Sequence, residues 1–356
     1  MLPEPRISRP AAIATLTAFA LVVAVLWLAG GWRALPAAFP DERRLQQAMP
    51  MRHQAMQLWN GVRWQLTGST PPTVVRGHHG WWFYAAEHAA DGHTFDEVEG
   101  RVAPDPHEAE WAGAILARAA TASARGATYL AIVPPDKQTV ERAESPVSAL
   151  PTSTRLSRLN LALDPDGPLL DLAPHVVSGY VRSDSHWLDE GAYQGYIAIH
   201  ARLHLRGMPL SRGAFTPVPY DWPGDLFALR MAGPRTEPVS LWQAVGPLPA
   251  RWLDGQSVAR PGLFHLPAAQ AAWRRGPSGL REAITVVDDP TLPSAVIFHD
   301  SFMPALLPYL AQHFRRARFV WCHYLAPVVE EERPDVIIHE NVARNVQWLG
   351  KVSDVP

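Results

Sequence analysis

The apolar positions of this chain fall into two regimes. From Ala11 to Trp32 the sequence carries no charged residue and is dominated by Leu, Val, Ala and Phe. A run of about 20 apolar residues is long enough to cross a bilayer core as a helix. Trp27 and Trp32 near its end suit the interfacial belt, and Arg6 and Arg9 precede it. The expectation is a short cytoplasmic tail over 1–10 and a membrane-spanning signal-anchor over 11–32. The rival reading is a cleaved secretory signal with its cut near Ala37-Ala38. The run is long for such a segment and Arg33 intervenes before the cut. Asp41 to Leu66 reads as a polar helix that breaks at Gly68 to Pro72, which makes 33–69 a helical linker.

Beyond residue 70 the pattern changes to short apolar runs alternating with helical periodicity. Tyr129-Leu-Ala-Ile-Val, Leu169-Leu-Asp-Leu, Ala283-Ile-Thr-Val-Val, Ala295-Val-Ile-Phe, Phe319-Val-Trp-Cys and Asp335-Val-Ile-Ile-His read as strands. Helices are expected over 107–125, 189–206 and 304–314. The second of these sets Tyr193, Tyr196, Ile197 and His200 on one side. Continuous apolar strands separated by helices predict an α/β domain, a doubly wound parallel sheet with helices on both faces. The stretch 207–277 is rich in Pro, Gly and Trp with weak periodicity, and predicts an irregular insertion within a domain running from 70 to 356.

Composition narrows the function classes. The 356 residues are 47% hydrophobic and 19% charged, enough for a sizeable core. A formal net charge of −2, with no basic tract, gives no footing for nucleic acid. The single cysteine, Cys322, excludes an intrachain disulfide and a CxxC site, and its apolar context predicts inert packing in a strand. No phosphate loop, GxGxxG fingerprint or GxSxG elbow is present, so phosphoryl and hydride transfer lose support. No cofactor and no metal are expected: His78 and His79 are adjacent, without the companion ligands a zinc site needs.

Function in doubly wound sheets gathers at the carboxyl ends of strands, and three polar clusters fall there. His299-Asp-Ser-Phe-Met-Pro follows a strand and opens a helix, with Pro304 suited to its first turn. Ser301 is there either a nucleophile, with the helix's positive end beside it, or a cap of the helix. Asp184 and His186 are two apart, a spacing that lets a carboxylate hold one ring nitrogen while the other takes a proton from a hydroxyl. They are equally readable as the start of a helix. Lys137, after Ile132-Val-Pro-Pro-Asp, either faces a substrate or is solvated. Glu340 and Arg344, four apart, read as a structural ion pair. Arg76-Gly-His-His-Gly-Trp-Trp-Phe-Tyr reads as aromatic packing, with sugar stacking as the alternative.

Taken in order, six segments resemble the SGNH-like acetyltransferases of bacterial exopolysaccharide modification, the AlgJ/AlgX group. They are the Arg76 segment, Ile132-Val-Pro-Pro-Asp-Lys, Asp184-Ser-His-Trp with Gly191-Ala-Tyr, Gly224-Asp-Leu, His299-Asp-Ser-Phe, and Arg333-Pro-Asp-Val-Ile-Ile-His-Glu-Asn-Val-Ala-Arg. The resemblance implies an SGNH-hydrolase-like fold and a catalytic triad of Asp184, His186 and Ser301. Lys137, Trp187, Tyr193 and His299 are then the candidates for substrate contact. It implies transfer of an acetyl group to hydroxyls of a polysaccharide acceptor in the periplasm. The donor would be delivered by a multi-spanning membrane acyltransferase, with this chain held at the inner membrane by its N-terminal helix. With no space for a separate carbohydrate-binding module, the chain resembles the single-domain AlgJ type. Two positions depart from the pattern: His299 stands where a glycine commonly precedes Asp-Ser, and Leu188 where Asn often follows His-Trp. An esterase with the same triad and a non-catalytic sugar-binding scaffold remain the alternatives.

Overall fold

The computed structural model describes residues 74–84, 104–146, 153–230, 236–253 and 280–351, together with Arg274–Arg275 and the single positions 17 and 258. The expected tail, anchor and linker lie outside the described residues, save Thr17. No helix among the described residues is long and apolar enough to cross a membrane.

In chain order the elements are β1 (Val74–Arg76), β2 (Trp82–Tyr84), α1 (Glu108–Ser123), β3 (Thr128–Val133), α2 (Lys137–Val140), α3 (Arg155–Ala162), β4 (Leu169–Asp171) and α4 (Asp189–Arg202). Then come β5 (Phe215–Trp222), α5 (Asp225–Arg230), β6 (Glu237–Ala244), β7 (Arg251–Trp252), β8 (Arg274–Arg275), β9 (Arg281–Val286) and β10 (Ser294–Phe298). The chain closes with α6 (Met303–Leu310), β11 (Arg316–Val320), α7 (Ala326–Glu332), β12 (Val336–Glu340) and a 3₁₀ segment, Ala343–Gly350.

The main sheet has the order β4-β3-β12-β10-β11-β9-β7, with β8 also paired to β9. From β4 to β11 every neighbouring pair is parallel. Alternation along these strands feeds two cores. Leu130, Ile132, Ala295, Ile297 and Ile338 face one side, where α4 and α6 supply Ala192, Tyr196, Ile199, Leu306 and Leu310. Tyr129, Ala131, Val133, Val296 and Phe298 face the other, against Trp111 and Ile115 of α1, Leu159 of α3 and Val328 of α7. Strands sealed on both faces read as unbroken apolar runs, which is why they were legible. In α1 the buried set Trp111, Ile115, Arg118 and Ala122 steps by four, three and four, one face of a helix.

Four expectations need correction. The sheet is mixed, because β9 runs antiparallel to β11 and β7 and β8 run antiparallel to β9. An apolar strand sealed on both faces carries the same residue pattern in either direction. The insertion is not irregular over its described part. β5 and β6 form an antiparallel pair in register from Phe215↔Ala244 to Trp222↔Glu237, with α5 between them. Pro217 and Pro219 lie in β5 two residues apart, so their missing donors share one edge, and among the described residues β5 pairs with β6 alone. Third, α4 ends at Arg202 and α6 at Leu310, with a 3₁₀ turn continuing α6 over Ala311–His313. Last, Cys322 lies beyond the end of β11 and is half-buried rather than strand core.

Candidate active site

The turn after β10 is built by an aspartate. Asp300 Oδ1 accepts the N–H of Phe302 at 2.9 Å and its Oδ2 accepts the N–H of Val342 at 2.9 Å. The Asp300 N–H donates to Glu340 Oε2 at 3.0 Å, tying the turn to the end of β12. Burial, reinforced by the Asp300 charge, pushes the Glu340 carboxyl well above the usual carboxylate range. Pro304 sits in the first turn of α6, where a missing N–H costs nothing. Asp300 forms the turn and no side chain caps the start of α6, so Ser301 is not the helix cap. Its hydroxyl lies 2.8 Å from Nε2 of His186.

The other nitrogen of that imidazole, Nδ1, is 2.8 Å from Asp184 Oδ1. Asp184 is fully buried, whereas the His186 side chain keeps 19% of its surface exposed. The same Asp184 oxygen accepts the His186 backbone N–H at 2.8 Å. Its second oxygen accepts the Trp222 indole N–H at 2.8 Å and the Asp225 N–H at 3.2 Å. Burial pulls the His186 imidazolium down, but the hydrogen bond and charge of Asp184 and the charge of Asp225 outweigh it. The net shift is upward from the ordinary 6.5. Asp184, His186 and Ser301 therefore have the connectivity of a nucleophile, its base and the group that orients the base.

Asp184, His186 and Asp225 also set potential metal-ligand atoms within 4.8 Å of one another. Those atoms are already engaged: both Asp184 oxygens accept N–H groups, and the Asp225 oxygens hold the Ser185 N–H at 2.7 Å and its hydroxyl at 2.5 Å.

The four residues expected to touch substrate are placed differently. Lys137 does not face the opening: it is 1% exposed, and its Nζ donates to the carbonyls of Trp82, Val181, Arg182 and Asp184 at 2.7, 2.5, 3.1 and 3.0 Å. The rings of Trp81 and Phe83 lie 5.0 and 5.2 Å from it, which is how the aromatic segment of β2 is used. Trp187 is fully buried and its indole N–H donates to Phe302 O at 3.0 Å, fastening the histidine loop to the serine turn. His299 is buried and turns aside; its Nδ1–H donates to Asp300 O at 2.6 Å, and burial pushes the ring down to about 4. Tyr193 is half-buried and donates to Leu210 O at 2.9 Å. It lines a cavity of about 700 Å³ with His175, Glu190, Arg202 and Arg212, a set that contains none of the triad. Arg344 pairs with Asp136 at 2.5 Å rather than with Glu340. The sequence assigns no role to Trp222 or Asp225; Asp225 falls in the family-like segment Gly224-Asp-Leu, and Trp222 carries no signal.

Residues 74–239 match the family model described as "SGNH hydrolase-like domain, acetyltransferase AlgX". The match holds Asp184 and His186 and ends before Ser301. The fold is similar to that of PatB1 from Bacillus cereus, solved with a sulfonyl adduct, at TM-score 0.55 and 13% identity, over 77% of this chain and 95% of that one. A DHHW family protein from Eubacterium siraeum aligns at TM-score 0.50 and 13% identity, over 80% and 100% of the two chains. The O-acetyltransferase domain of Pseudomonas putida AlgJ aligns at TM-score 0.43 and 15% identity, over 80% and 95%. No curated protein matches the chain.

Two substitutions test this construction. Lys137→Met removes the Nζ donor from the carbonyls of Trp82, Val181, Arg182 and Asp184, of which Arg182 keeps the Trp82 N–H. Each buried polar group left unpaired costs about 1–3 kcal/mol, so thermal unfolding should show a large loss of stability. A variant with wild-type stability and only a raised KM would restore Lys137 to substrate contact. Gly224 has φ +45°, and a Cβ there would strike Ser183 beside Asp184. Gly224→Ala should therefore be destabilised by at least ~1–3 kcal/mol and lose activity with it; unchanged melting would show that this turn does not hold the site.

Proposed function

From an SGNH-like domain of the AlgX acetyltransferase type, we propose that this chain is an O-acetyltransferase that moves an acetyl group onto hydroxyls of a cell-envelope or extracellular polysaccharide. The observation carrying the reading is the chain of contacts from Ser301 Oγ to His186 Nε2 at 2.8 Å and from His186 Nδ1 to Asp184 at 2.8 Å. A serine hydroxyl at neutral pH is a weak nucleophile without such a base.

In the first half-reaction His186 Nε2 takes the Ser301 proton as Oγ attacks the acetyl carbonyl carbon. The donor's oxygen departs with that proton, leaving an acetyl-serine. In the second, Nε2 takes a proton from a sugar hydroxyl, whose oxygen attacks the acetyl carbon. Ser301 Oγ leaves and recovers the proton. Asp184 holds the imidazole in the correct tautomer and stabilises the imidazolium that forms in each half. The N-terminal end of α6 lies at this turn, and its positive dipole end suits the developing oxyanion. The expected anchor over 11–32 would hold the domain outside the inner membrane, where a multi-spanning acyltransferase presents the donor. Hydrolysis of the same acetyl-serine by water is the competing outcome.

The test is full-length protein incubated with an activated acetyl ester, with and without oligosaccharide. Acetylated sugar should form, and Ser301→Ala should reduce it by at least roughly 10³-fold while the protein remains folded. Acetate release indifferent to the sugar would make the chain an esterase, and full activity without the serine would end the reading. The pH dependence has a definite sign. His186 works as a base only when neutral, and its proton affinity is raised, so the acid limb of kcat/KM should lie above 6.5, with activity climbing as pH rises through it. A limb below that value would contradict the paired carboxylates.

A further inference from the structure

We infer that Asp225 is a second carboxylate of the relay, a positioning residue that grips the turn between Asp184 and His186 and sets a negative charge on the Nδ1 side of the imidazole. This rests on the assignment of His186 as the base for Ser301.

The geometry separates the two aspartates by task. Asp184 receives four N–H groups, so its charge is spread over donors that include the Nδ1–H. Asp225 makes no hydrogen bond to the ring. Its Oδ1 accepts the Ser185 N–H at 2.7 Å and its Oδ2 the Ser185 hydroxyl at 2.5 Å, which fixes the residue between Asp184 and His186. That same Oδ2 stands 3.5 Å from His186 Nδ1. An anion so placed acts through charge: it favours the imidazolium that each half-reaction must create. The backbone N–H of Asp225 donates to Asp184, so one residue supports both members of the pair. Burial, followed by the Asp184 charge, pushes the Asp225 carboxyl up to about 6, as expected of an acid held beside another acid. The other charged groups acting on this cluster are Lys137 from α2, which itself feels Glu141 and Glu237, and Arg344 from the 3₁₀ segment. Lys137 is committed to four carbonyls and Arg344 to Asp136.

The test needs no natural substrate. Full-length protein is treated with phenylmethylsulfonyl fluoride across a pH series, and the rate of Ser301 modification is followed by mass spectrometry. Serine oxygen displaces fluoride only when His186 is free to take the proton, so the acid limb reports the base. In Asp225→Asn the limb should move to lower pH by about one unit or more, and Asp225→Glu should return it toward the wild type. A slower plateau with an unmoved limb overturns the inference and leaves Asp225 a merely structural residue. Should Asp225→Asn not fold, the wild-type chain decides: the Nδ1–H proton resonance of His186 must follow two titrations, its own and that of Asp225, and a single step overturns the inference. A wild-type protein that is not modified at Ser301 overturns the triad itself, an outcome distinguishable because it involves no change at Asp225.

Discussion

One carboxylate holds this site together. Asp184 is fully buried, and four N–H groups from the histidine loop, the end of β5 and the start of α5 converge on its two oxygens at 2.8 to 3.2 Å. A buried charge persists only where it is paired and hydrogen-bonded. Everything that supplies those donors is therefore obliged to stay in place. The histidine loop is bound to the β5–β6 pair through this atom cluster, and to the serine turn through His186 and through the Trp187–Phe302 hydrogen bond. Lys137 closes the underside by gathering four carbonyls, including that of Asp184 itself.

The serine side is built on the same logic with different residues. Asp300 collects N–H groups from Phe302 and Val342, while its own N–H reaches Glu340. This turn joins the ends of β10 and β12, neighbours in the sheet. Ser301 thus stands on the parallel part of the sheet, and His186 stands on a loop pinned by the β5–β6 insertion. Correct geometry between them requires both cores to be complete. That dependence explains why so many polar groups near the site are buried and engaged, whereas His186 and Ser301 stay partly exposed.

How much of this was legible follows from interaction range. The apolar runs of β3, β10 and β12 announced themselves, because a strand covered on both faces has no polar side to interrupt the pattern. Asp184 and His186 could be paired from sequence because their hydrogen bond spans two residues. Ser301 was ambiguous because Asp300, one residue away, offers the same capping chemistry. The missed features all depend on partners distant in sequence. Arg344 looked to Glu340, four residues back, yet its partner Asp136 lies more than two hundred residues earlier, across the β12–β3 pairing. Lys137 looked exposed because its four acceptors are backbone carbonyls, which leave no trace in the residue pattern. Trp222 and Asp225 were hidden in a Pro-rich stretch whose strand is tolerated only because its prolines face an unpaired edge.

The base carries a tension that the surrounding charges moderate. Carboxylates beside His186 strengthen it as a proton acceptor, yet each also favours the protonated ring, which is no longer a base. Asp184 and Asp225 push in that direction; burial and the Arg344 cation push back. The imidazole is left above its ordinary proton affinity by a margin that several residues set jointly, not by one partner. Removing any of them shifts the balance between a base that is strong but occupied and one that is free but weak. For a base that must accept a proton and return it, an intermediate setting is the useful one. The insertion that supplies Asp225 and Trp222 thereby belongs to the chemistry as well as to the packing.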